Sequence, residues 1–407
     1  MEPTQTPSQV EDPTRLEDEF GVSNYNPLPV VISRGEGSWV EDIDGKRYFD
    51  ALSAYSALNF GHRHPRLVAA AHDQLNRLTL TSRAFRNDKL GEFCRRVATA
   101  AQQQRVLPMN TGAEAVETGI KSARKWGYEV KGVAPDRAKI IVCSGNFHGR
   151  TTTIVSFSDD PSARTNFGPF TPGFEVVPYG DLAALEAAID ENTVGFLVEP
   201  IQGEAGVIIP PAGYLVGAHD LCDQANVLMI ADEIQSGLGR TGRMFACDHE
   251  EVTPDLLLLG KALGGGIFPV SAVVGSDEVL GLFQPGEHGS TFGGNPLGCA
   301  IALEALDLLA DGSLERNATE LGARFRESLE SKAHPAVKEI RQRGLWIGVD
   351  IHESAGSARA ACKQLMAAGV LAKETHEQTI RFAPPLTTTA EELDWVLERA
   401  NSVLGAI

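Results

Sequence analysis

The segment NVLMIADE, residues 226–233, contains the apolar run VLMIA and ends in two carboxylates. Similar apolar runs occur earlier in the chain, and amphipathic helical patterns alternate with them. The apolar runs are KIIVC (139–143) and VGFLVEP (194–200), and the helical patterns are AEAVETGIKSARKWGYEV (113–130) and LAALEAAIDE (182–191). Continuously apolar strands that alternate with helices are typical of a parallel sheet buried on both faces. The sequence therefore predicts an α/β fold with a mostly parallel central sheet flanked by helices.

The segments on either side of this pattern predict a smaller lobe. VVISRGEGSWVEDIDGKRYFD (30–50) contains turn signals between short apolar runs, which indicates a small antiparallel sheet. Beyond Pro296 a long helical stretch is followed by strand-like LWIGVDI (345–351) and IRFAPP (380–385), which suggests an α+β unit. We therefore predict three regions. They are 1–47, a tail of about 20 residues and the small antiparallel segment; 48–298, a large domain; and 299–407, a C-terminal small domain.

Composition excludes several classes of protein. Asp and Glu number 54 against 36 Lys and Arg, and the resulting net charge of -18 would repel nucleic acid. The apolar runs are far shorter than the ~20 residues of a membrane-spanning helix. The six cysteines are scattered without metal-ligand spacing, so we expect reduced thiols and no metal site. The acidic first segment resembles neither an export signal nor a transit peptide, and we expect a cytoplasmic protein.

Lys261 is the first candidate for chemistry. It stands between the strand-like run PDLLLLG (254–260) and the flexible turn ALGGG (262–266). Partial burial at the end of a strand would lower the pKa of its ammonium group and favour the amine that condenses with a carbonyl. The alternative is a solvated surface lysine, and the other motifs of the chain favour the first interpretation.

Asp232 is the second candidate, because catalytic groups of open α/β sheets gather at the carboxyl ends of strands. A pyridine cofactor works as an electron sink only while its ring nitrogen is protonated, and a buried aspartate secures that proton. Asp232 suits this role. Glu233 and Gln235 follow at once, and spacing alone leaves open whether they are structural hydrogen-bonding groups.

Three further segments add groups for an anionic, flat ligand. Residues 110–115, NTGAEA, open a helix with a candidate N-cap at Thr111, and such a helix start binds phosphate. Residues 290–295, STFGGN, offer two hydroxyls in a Gly-rich turn. Phe147 and Arg150 follow the apolar run 139–143. The Phe147 side chain can stack on a flat ring, and the Arg150 guanidinium can bind a carboxylate. Each segment also has a purely structural interpretation.

Taken in order, these segments resemble the class III, or subgroup II, pyridoxal-phosphate-dependent aminotransferases, and among them most closely the ornithine aminotransferases. The resemblance spans nearly the whole chain. The segments that carry it are YNPLPVVISRGEG (25–37), SAYSALNFGHRHP (53–65), TLTSRAF (79–85), LPMNTGAEAVETGIKSARKWGY (107–128), GNFHGRT (145–151), VEPIQGEAGV (198–207), IADEIQSGLGRTG (230–242), PDLLLLGKALGGG (254–266), GEHGSTFGGNPLG (286–298) and IRFAPPL (380–386).

The resemblance implies fold type I, in which the N-terminal segment and the C-terminal region together form the smaller lobe, and it implies pyridoxal 5'-phosphate as cofactor. It makes Lys261 and Asp232 catalytic: Lys261 would carry the cofactor as a Schiff base and shuttle a proton, and Asp232 would pair with the pyridine nitrogen. The other implied cofactor contacts are Gln235 at the ring hydroxyl, Phe147 and Ile234 on the two ring faces, and Gly112, Ala113, Ser290 and Thr291 at the phosphate. The last two would come from the other subunit of a homodimer, and larger assemblies stay open.

The resemblance also implies a substrate pocket and a reaction. Arg150 would bind a carboxylate, Glu204 would pair with Arg381, and Tyr25 and Tyr55 would line the pocket. The implied reaction transfers the δ-amino group of L-ornithine to 2-oxoglutarate by a ping-pong mechanism, giving glutamate and glutamate 5-semialdehyde, which cyclises to pyrroline-5-carboxylate. Tyr25 matches a tyrosine with which ornithine enzymes bind the free α-amino group.

Several alternatives to this function share the scaffold. They are another ω-aminotransferase, acting on N-acetylornithine, 4-aminobutyrate or lysine, and a pyridoxal-phosphate-dependent aminomutase, which needs no oxo-acid acceptor. A binding protein with the same fold is a third, but the intact set of Lys261, Asp232 and Phe147 argues against it. One departure concerns His148, because animal ornithine enzymes have tryptophan at that position.

Overall fold

The computed structural model of the chain describes residues 12–407. Its strands are β1 (Ile32–Glu36), β2 (Trp39–Asp42), β3 (Arg47–Asp50), β4 (Arg105–Met109), β5 (Lys139–Cys143), β6 (Phe174–Val177), β7 (Thr193–Val198), β8 (Leu228–Asp232), β9 (Leu256–Leu259), β10 (Ser271–Gly275), β11 (Val337–Gln342), β12 (Ile347–Ile351), β13 (Val370–Leu371), β14 (Lys373–Thr375) and β15 (Thr379–Phe382). Its α-helices are α1 (Pro13–Phe20), α2 (Ser53–Ser56), α3 (Pro65–Leu75), α4 (Leu90–Ala100), α5 (Gly112–Trp126), α6 (Pro161–Arg164), α7 (Leu182–Ala188), α8 (Tyr214–Gln224), α9 (Asp277–Leu280), α10 (Pro296–Leu309), α11 (Ser313–Lys332), α12 (Ala358–Ala367) and α13 (Ala390–Leu404).

The central sheet has seven strands in the order β4-β10-β9-β8-β7-β5-β6. The five strands β9, β8, β7, β5 and β6 are parallel to one another, whereas β10 is antiparallel to both β4 and β9. Every residue of β7, β8, β9 and β10 is buried, which explains why these strands are continuously apolar in the sequence. The predicted α/β class with a mostly parallel sheet is confirmed.

Two layers of helices cover this sheet, and alternate residues of each strand face one layer or the other. In β8, Met229 and Ala231 belong to the core that α3, α4, α8 and α10 complete. Leu228 and Ile230 point the opposite way, into the core under α5. The sheet is therefore fixed from both sides, and only the ends of its strands are free to form a site.

A second hydrophobic core lies outside this sheet, around a four-stranded sheet in the order β11-β12-β15-β14 and the helices α11, α12 and α13. The N-terminal strands β1, β2 and β3 form an antiparallel sheet, as predicted, and β13 extends it by pairing parallel to β3 through Val370 and Phe49. The N-terminal segment and the C-terminal region therefore pack together as one lobe.

The structure bears on two of the predicted regions. Residues 13–20 of the predicted N-terminal tail form α1, with Asp12 as N-cap and Pro13 in its first turn, and none of them is buried; residues 1–11 lie outside the described residues. The predicted boundary between 298 and 299 falls within α10, whose buried residues belong to the core of the central sheet. We propose that the large domain, predicted as 48–298, includes this helix. The rest of 299–407 would then form the small lobe together with the strands β1, β2 and β3.

The strand ends position the candidate residues. Asp232 ends β8, Lys261 follows β9 by two residues, and Phe147 follows β5 after a short turn. These three strands are parallel and lie within a run of four adjacent strands, β9-β8-β7-β5, so their carboxyl ends lie along the same edge of the sheet. Helix α5 starts at this edge. Within residues 12–407, no helix is long and apolar enough to cross a membrane.

Candidate active site

A cavity of about 210 Å³ lies at this edge of the sheet. Seven of the residues predicted to bind the cofactor line it: Gly112, Ala113, Phe147, Asp232, Ile234, Gln235 and Lys261. His148, Glu199 and Ser236 also line it, and they were not among the predicted contacts. The cavity thus brings together residues from five separate segments of the chain, and the cofactor contacts of the seven predicted residues stay predictions.

Lys261 lies in a strained turn immediately after β9. Its φ is +43°, a left-handed conformation that costs a non-glycine residue about 1 to 2 kcal/mol. Burial lowers the pKa of its ammonium group, although the carboxylates of Glu204, Asp232 and Glu199 act in the opposite direction. The lowered pKa increases the fraction of neutral amine, which is the nucleophilic form.

Asp232 is held by a buried histidine. The His148 Nδ1 and Asp232 Oδ2 atoms are 2.7 Å apart, and both side chains are almost fully buried. An ionised carboxylate only accepts hydrogen bonds, so Nδ1 carries the proton. Burial opposes the charged imidazolium, but the hydrogen bond and charge of Asp232 outweigh it and raise the pKa of His148. The other carboxylate oxygen accepts the N–H of Ile234 at 3.1 Å.

Glu199 is a second carboxyl group in this cavity. Burial raises its pKa to about 7, while the charge of His148 and the N–H groups of Phe147 and Gly203 act against that increase. Its Oε2 accepts the Phe147 N–H at 3.0 Å, which fixes the backbone beside the aromatic ring. The cavity therefore holds a carboxyl group that titrates close to neutral pH.

The start of α5 forms one wall of the cavity. Thr111 is the N-cap and makes a reciprocal capping box with Glu114. The N–H groups of Gly112 and Ala113 lie in the first turn, where a helix offers no acceptor of its own. A Cβ at position 112 would lie 3.2 Å from two carbons of Ile234, so glycine allows this close approach. The wall combines free N–H groups with the positive end of a helix dipole.

Ser290 and Thr291 lie outside the lining of this cavity. Ser290 Oγ accepts a hydrogen bond from Asn110 Nδ2 at 2.8 Å, which ties this turn to the residue before the N-cap of α5. The side chain of Thr291 is exposed. Their predicted contact with the phosphate of a second subunit stays a prediction.

A second cavity of about 450 Å³ shares Phe147, His148 and Gly149 with the first and extends past Arg150 and Glu204. The Arg150 guanidinium carbon lies 5.8 Å from the centre of the Phe147 ring. Seven of the predicted cofactor residues and two of the predicted substrate residues therefore line adjoining cavities.

Arg381 and Glu204 form a buried ion pair, as predicted. Arg381 Nη1 donates to Glu204 Oε1 at 2.7 Å, and only 4% of the arginine side chain is exposed. Burial raises the pKa of Glu204, but the charge and hydrogen bond of Arg381 more than compensate and lower it overall. The carboxylate is therefore ionised and neutralises the guanidinium.

Tyr55 covers this ion pair from the other side, with the Arg381 guanidinium carbon 5.2 Å from its ring centre. It lies in α2, which is a single left-handed turn: the φ angles of its four residues, Ser53 to Ser56, lie between +47° and +70°. A left-handed turn without glycine is costly, and it persists because Asp50 accepts the N–H groups of Leu52 and Ser53. This turn aims Tyr55 at Arg381.

Tyr25 lies in an extended segment and is 75% exposed. Neither of the two cavities includes it in its lining. Its predicted contact with substrate stays a prediction.

The sequence model of the family described as aminotransferase class-III matches residues 20–404. The chain belongs to the class-III aminotransferases. It is 56% identical over 393 residues to an ornithine aminotransferase of a Geobacillus species, which covers 97% of this chain and 98% of that protein. An ornithine aminotransferase of Brevibacillus brevis is 56% identical over 387 residues, or 95% of this chain and 96% of that protein.

Solved structures of the same family share the fold. The ornithine aminotransferase of Toxoplasma gondii, in which pyridoxal phosphate partially occupies the active site, is 49% identical to this aminotransferase with a TM-score of 0.95, covering 97% of this chain and 94% of that chain. The acetylornithine aminotransferase of Elizabethkingia anophelis is 46% identical with a TM-score of 0.88, covering 97% and 98%. Fold type I is confirmed by this likeness.

Sequence reasoning missed two groups in this aminotransferase site. His148 was noted as a departure in the pocket wall, but its buried contact with Asp232 was not foreseen. Glu199 was quoted only as part of a motif, although it lines the same cavity. A signal was present, since Glu199 directly follows the apolar strand β7, just as Asp232 ends β8.

Proposed function

We propose that this class-III aminotransferase is an ornithine aminotransferase, which transfers the δ-amino group of L-ornithine to 2-oxoglutarate. The observation that carries the proposal is the pairing of charges around the cavity: Arg150 has no acidic partner in the described chain, whereas Arg381 is neutralised by Glu204. One free cation suits ornithine, which has one carboxylate, and two suit 2-oxoglutarate. The relatives at 56% identity, which are ornithine aminotransferases, support the same reaction.

Pyridoxal 5'-phosphate is the cofactor, and the lining of the first cavity fits it. The free N–H groups of Gly112 and Ala113 suit a phosphate, and Phe147 and Ile234 both line the cavity as apolar walls for a flat ring. Asp232, fixed by His148, would hold the ring nitrogen in its protonated form, and Gln235 would approach the ring hydroxyl. When bound, the cofactor supplies a carbonyl carbon and an electron-withdrawing ring.

Lys261 would hold the cofactor through Nζ and then move a proton at the substrate carbon that carries the reacting amine. Its lowered pKa, caused by burial, suits both tasks because each requires the neutral amine. His148 keeps Asp232 in position through the 2.7 Å hydrogen bond between Nδ1 and Oδ2.

In the ornithine half-reaction, Arg150 would bind the α-carboxylate and Tyr25 the free α-amino group, which leaves the δ-amino group directed at the cofactor. Glu204 would keep Arg381 neutral at this stage. In the second half-reaction, Glu204 would move away so that Arg381 binds the α-carboxylate of 2-oxoglutarate with its planar fork, and Arg150 the distal carboxylate. The ion pair would thus act as a gate between two substrates.

The experiment is a panel of amino donors with 2-oxoglutarate as acceptor, with Lys261→Ala as the blank. We expect L-ornithine to be the fastest donor and its cyclised product to react with o-aminobenzaldehyde. The second candidate function is acetylornithine transamination, which the likeness to the Elizabethkingia anophelis enzyme favours. Faster turnover of N-acetylornithine than of ornithine would select that candidate, and turnover without any oxo acid would indicate an aminomutase.

We also propose a homodimer in the cytoplasm. Large apolar side chains are exposed at Phe85 (74%) and Phe292 (49%), as expected of surfaces that a second subunit covers. None of the six cysteines forms a disulfide, which is typical of a reducing compartment. Light scattering would give the mass of the assembly, and cell fractionation its location.

A further inference from the structure

The loop that carries Glu204 lies across the sheet of the small lobe. Arg341 of β11 is in register with Gly348 of β12, and Gly348 is in register with Arg381 of β15. A Cβ at position 348 would collide with the carbonyl oxygen of Gly206, so the loop rests on the bare backbone of Gly348. The loop therefore has one arginine on each side, in a single row of the sheet.

Both arginines donate hydrogen bonds into this loop. Arg341 Nε donates to the carbonyl oxygen of Gly206 at 3.0 Å. Arg381 Nη1 donates to Glu204 Oε1 at 2.7 Å and to the carbonyl oxygen of Gly203 at 3.4 Å. Between these ends the loop is a tight turn, in which Gly206 N–H donates to the Gly203 oxygen at 3.1 Å. Only the Arg381 end includes a side chain of the loop.

Arg341 is itself rigidly held. Its two terminal nitrogens donate to both carboxylate oxygens of Asp350, at 2.8 and 2.6 Å. Asp350 Oδ1 also accepts the hydroxyl of Thr379 at 2.6 Å, two residues before Arg381 on β15. Burial opposes the charge on Asp350, but hydrogen bonds from Arg341 and Thr379 lower the pKa of its carboxyl group. The bidentate pair leaves Nε of Arg341 with a single direction, toward Gly206.

We propose that the Arg341–Asp350 pair is a fixed anchor of this loop, and so a positioning device that contributes to the selection between ornithine and glutamate. The inference rests on the proposed gate. When Glu204 releases Arg381 in each cycle, Arg341 retains Gly206, so the carboxylate moves about a fixed point and returns to the same place. Without the anchor, the paired state loses alignment and Arg381 is unpaired more often.

The test compares holoenzymes of wild type and Arg341→Gln in single-turnover half-reactions with L-ornithine and with L-glutamate. We expect the ratio of the two apparent second-order rate constants, ornithine over glutamate, to fall about tenfold, the lower end for one hydrogen bond from a charged group. Arg326→Gln is the matched control, because Arg326 pairs with Glu330 of its own helix, α11; its ratio should be unchanged. Cofactor absorbance and thermal melts verify that each variant is folded.

Double substitution separates an anchor from a general structural role. In a Glu204→Ala background the gate is absent, so adding Arg341→Gln should leave the ratio where it is. Equal slowing of both half-reactions by Arg341→Gln, or an unchanged ratio, would overturn the anchor. If Arg341→Gln does not fold, Asp350→Asn serves, with an expected fall of about threefold; an unchanged ratio there would overturn it as well. If Glu204→Ala itself leaves the ratio unchanged, the proposed gate fails instead.

Discussion

Substitution of Glu204 by alanine tests how one pocket accepts two differently charged substrates. In the structure the Glu204 carboxylate lies 2.7 Å from an arginine that is only 4% exposed, so its removal leaves a buried guanidinium without its counter-charge. The unpaired Arg381 should then bind any α-carboxylate that reaches it. We expect this to favour glutamate and to draw the α-carboxylate of ornithine away from Arg150.

The size of the effect follows from the bond that is lost. Leaving a buried hydrogen-bonding group without its partner costs about 1 to 3 kcal/mol, and each 1.4 kcal/mol corresponds to about tenfold in a ratio of rate constants. Ornithine should therefore lose roughly 5- to 150-fold against glutamate in relative kcat/KM. Stopped-flow absorbance of the cofactor during each half-reaction measures both rate constants in the same preparation.

The direction of change matters more than its size. Faster glutamate and slower ornithine half-reactions are the expected result. Glu204→Gln is the matched control, because it keeps a side chain of the same length while removing the charge, and it should give a smaller shift in the same direction. Equal slowing of both half-reactions, or unaffected ornithine, would refute the gate.

Four further predictions concern the first cavity and the assembly. Borohydride reduction followed by peptide mapping should find the pyridoxyl group on Lys261, and Lys261→Ala should lose the fixed adduct; a label on another lysine would move the site. Asp232→Asn should retain the cofactor but slow the chemical step severely, since an amide cannot keep the pyridine nitrogen protonated, and near-normal single-turnover rates with ornithine would remove Asp232 from that role. The pKa of Glu199 is about 7 in the folded protein and 4.5 for an ordinary glutamate, so the free energy of unfolding of the wild type should fall as the pH rises from 4.5 to 7. The free energy of unfolding of Glu199→Gln should not show this fall. The same pH dependence in both proteins, measured by urea unfolding, would contradict the raised pKa. Mixed dimers of Lys261→Ala chains with Thr291→Ala chains should recover one intact site, and inactive, verified heterodimers would count against shared sites.

The sequence was most informative where a residue's environment is local. The strands β8 and β9 were predictable because both of their faces are buried, which leaves a continuous apolar record. The start of α5 was predictable from local sequence as well, because Thr111 and its capping partner Glu114 are only three residues apart. Helix α1 also has a local signal, an Asp N-cap before a Pro, and the predicted tail contains this helix with no residue buried.

Contacts between distant segments produce no recognisable pattern in the sequence. His148 and Asp232 are 84 residues apart, and nothing near either of them indicates the hydrogen bond that joins them. The left-handed turn that aims Tyr55 has the sequence Ser-Ala-Tyr-Ser, with none of the glycines that would normally indicate positive φ. Its conformation is imposed by tertiary contacts, which outweigh local preference.

The predicted roles of individual residues depended on the resemblance more than on spacing. The Glu204–Arg381 pair, 177 residues apart, was expected only because the family implies it. The anchor formed by Arg341 and Asp350 has no sequence motif, and it became visible only when the strands β11, β12 and β15 were aligned in register. Long-range geometry of this kind requires the fold.

The most direct test of the proposed reaction follows the nitrogen atom itself. Holoenzyme is supplied with unlabelled 2-oxoglutarate and with L-ornithine that carries nitrogen-15 only at the δ-amino group. The products are then separated, and their molecular masses are measured by mass spectrometry. Because Arg150 and Tyr25 are proposed to hold the α-end of ornithine, the account predicts labelled glutamate and unlabelled pyrroline-5-carboxylate. Unlabelled glutamate, with the label retained in the ornithine-derived product, would show transfer of the α-amino group and contradict the account.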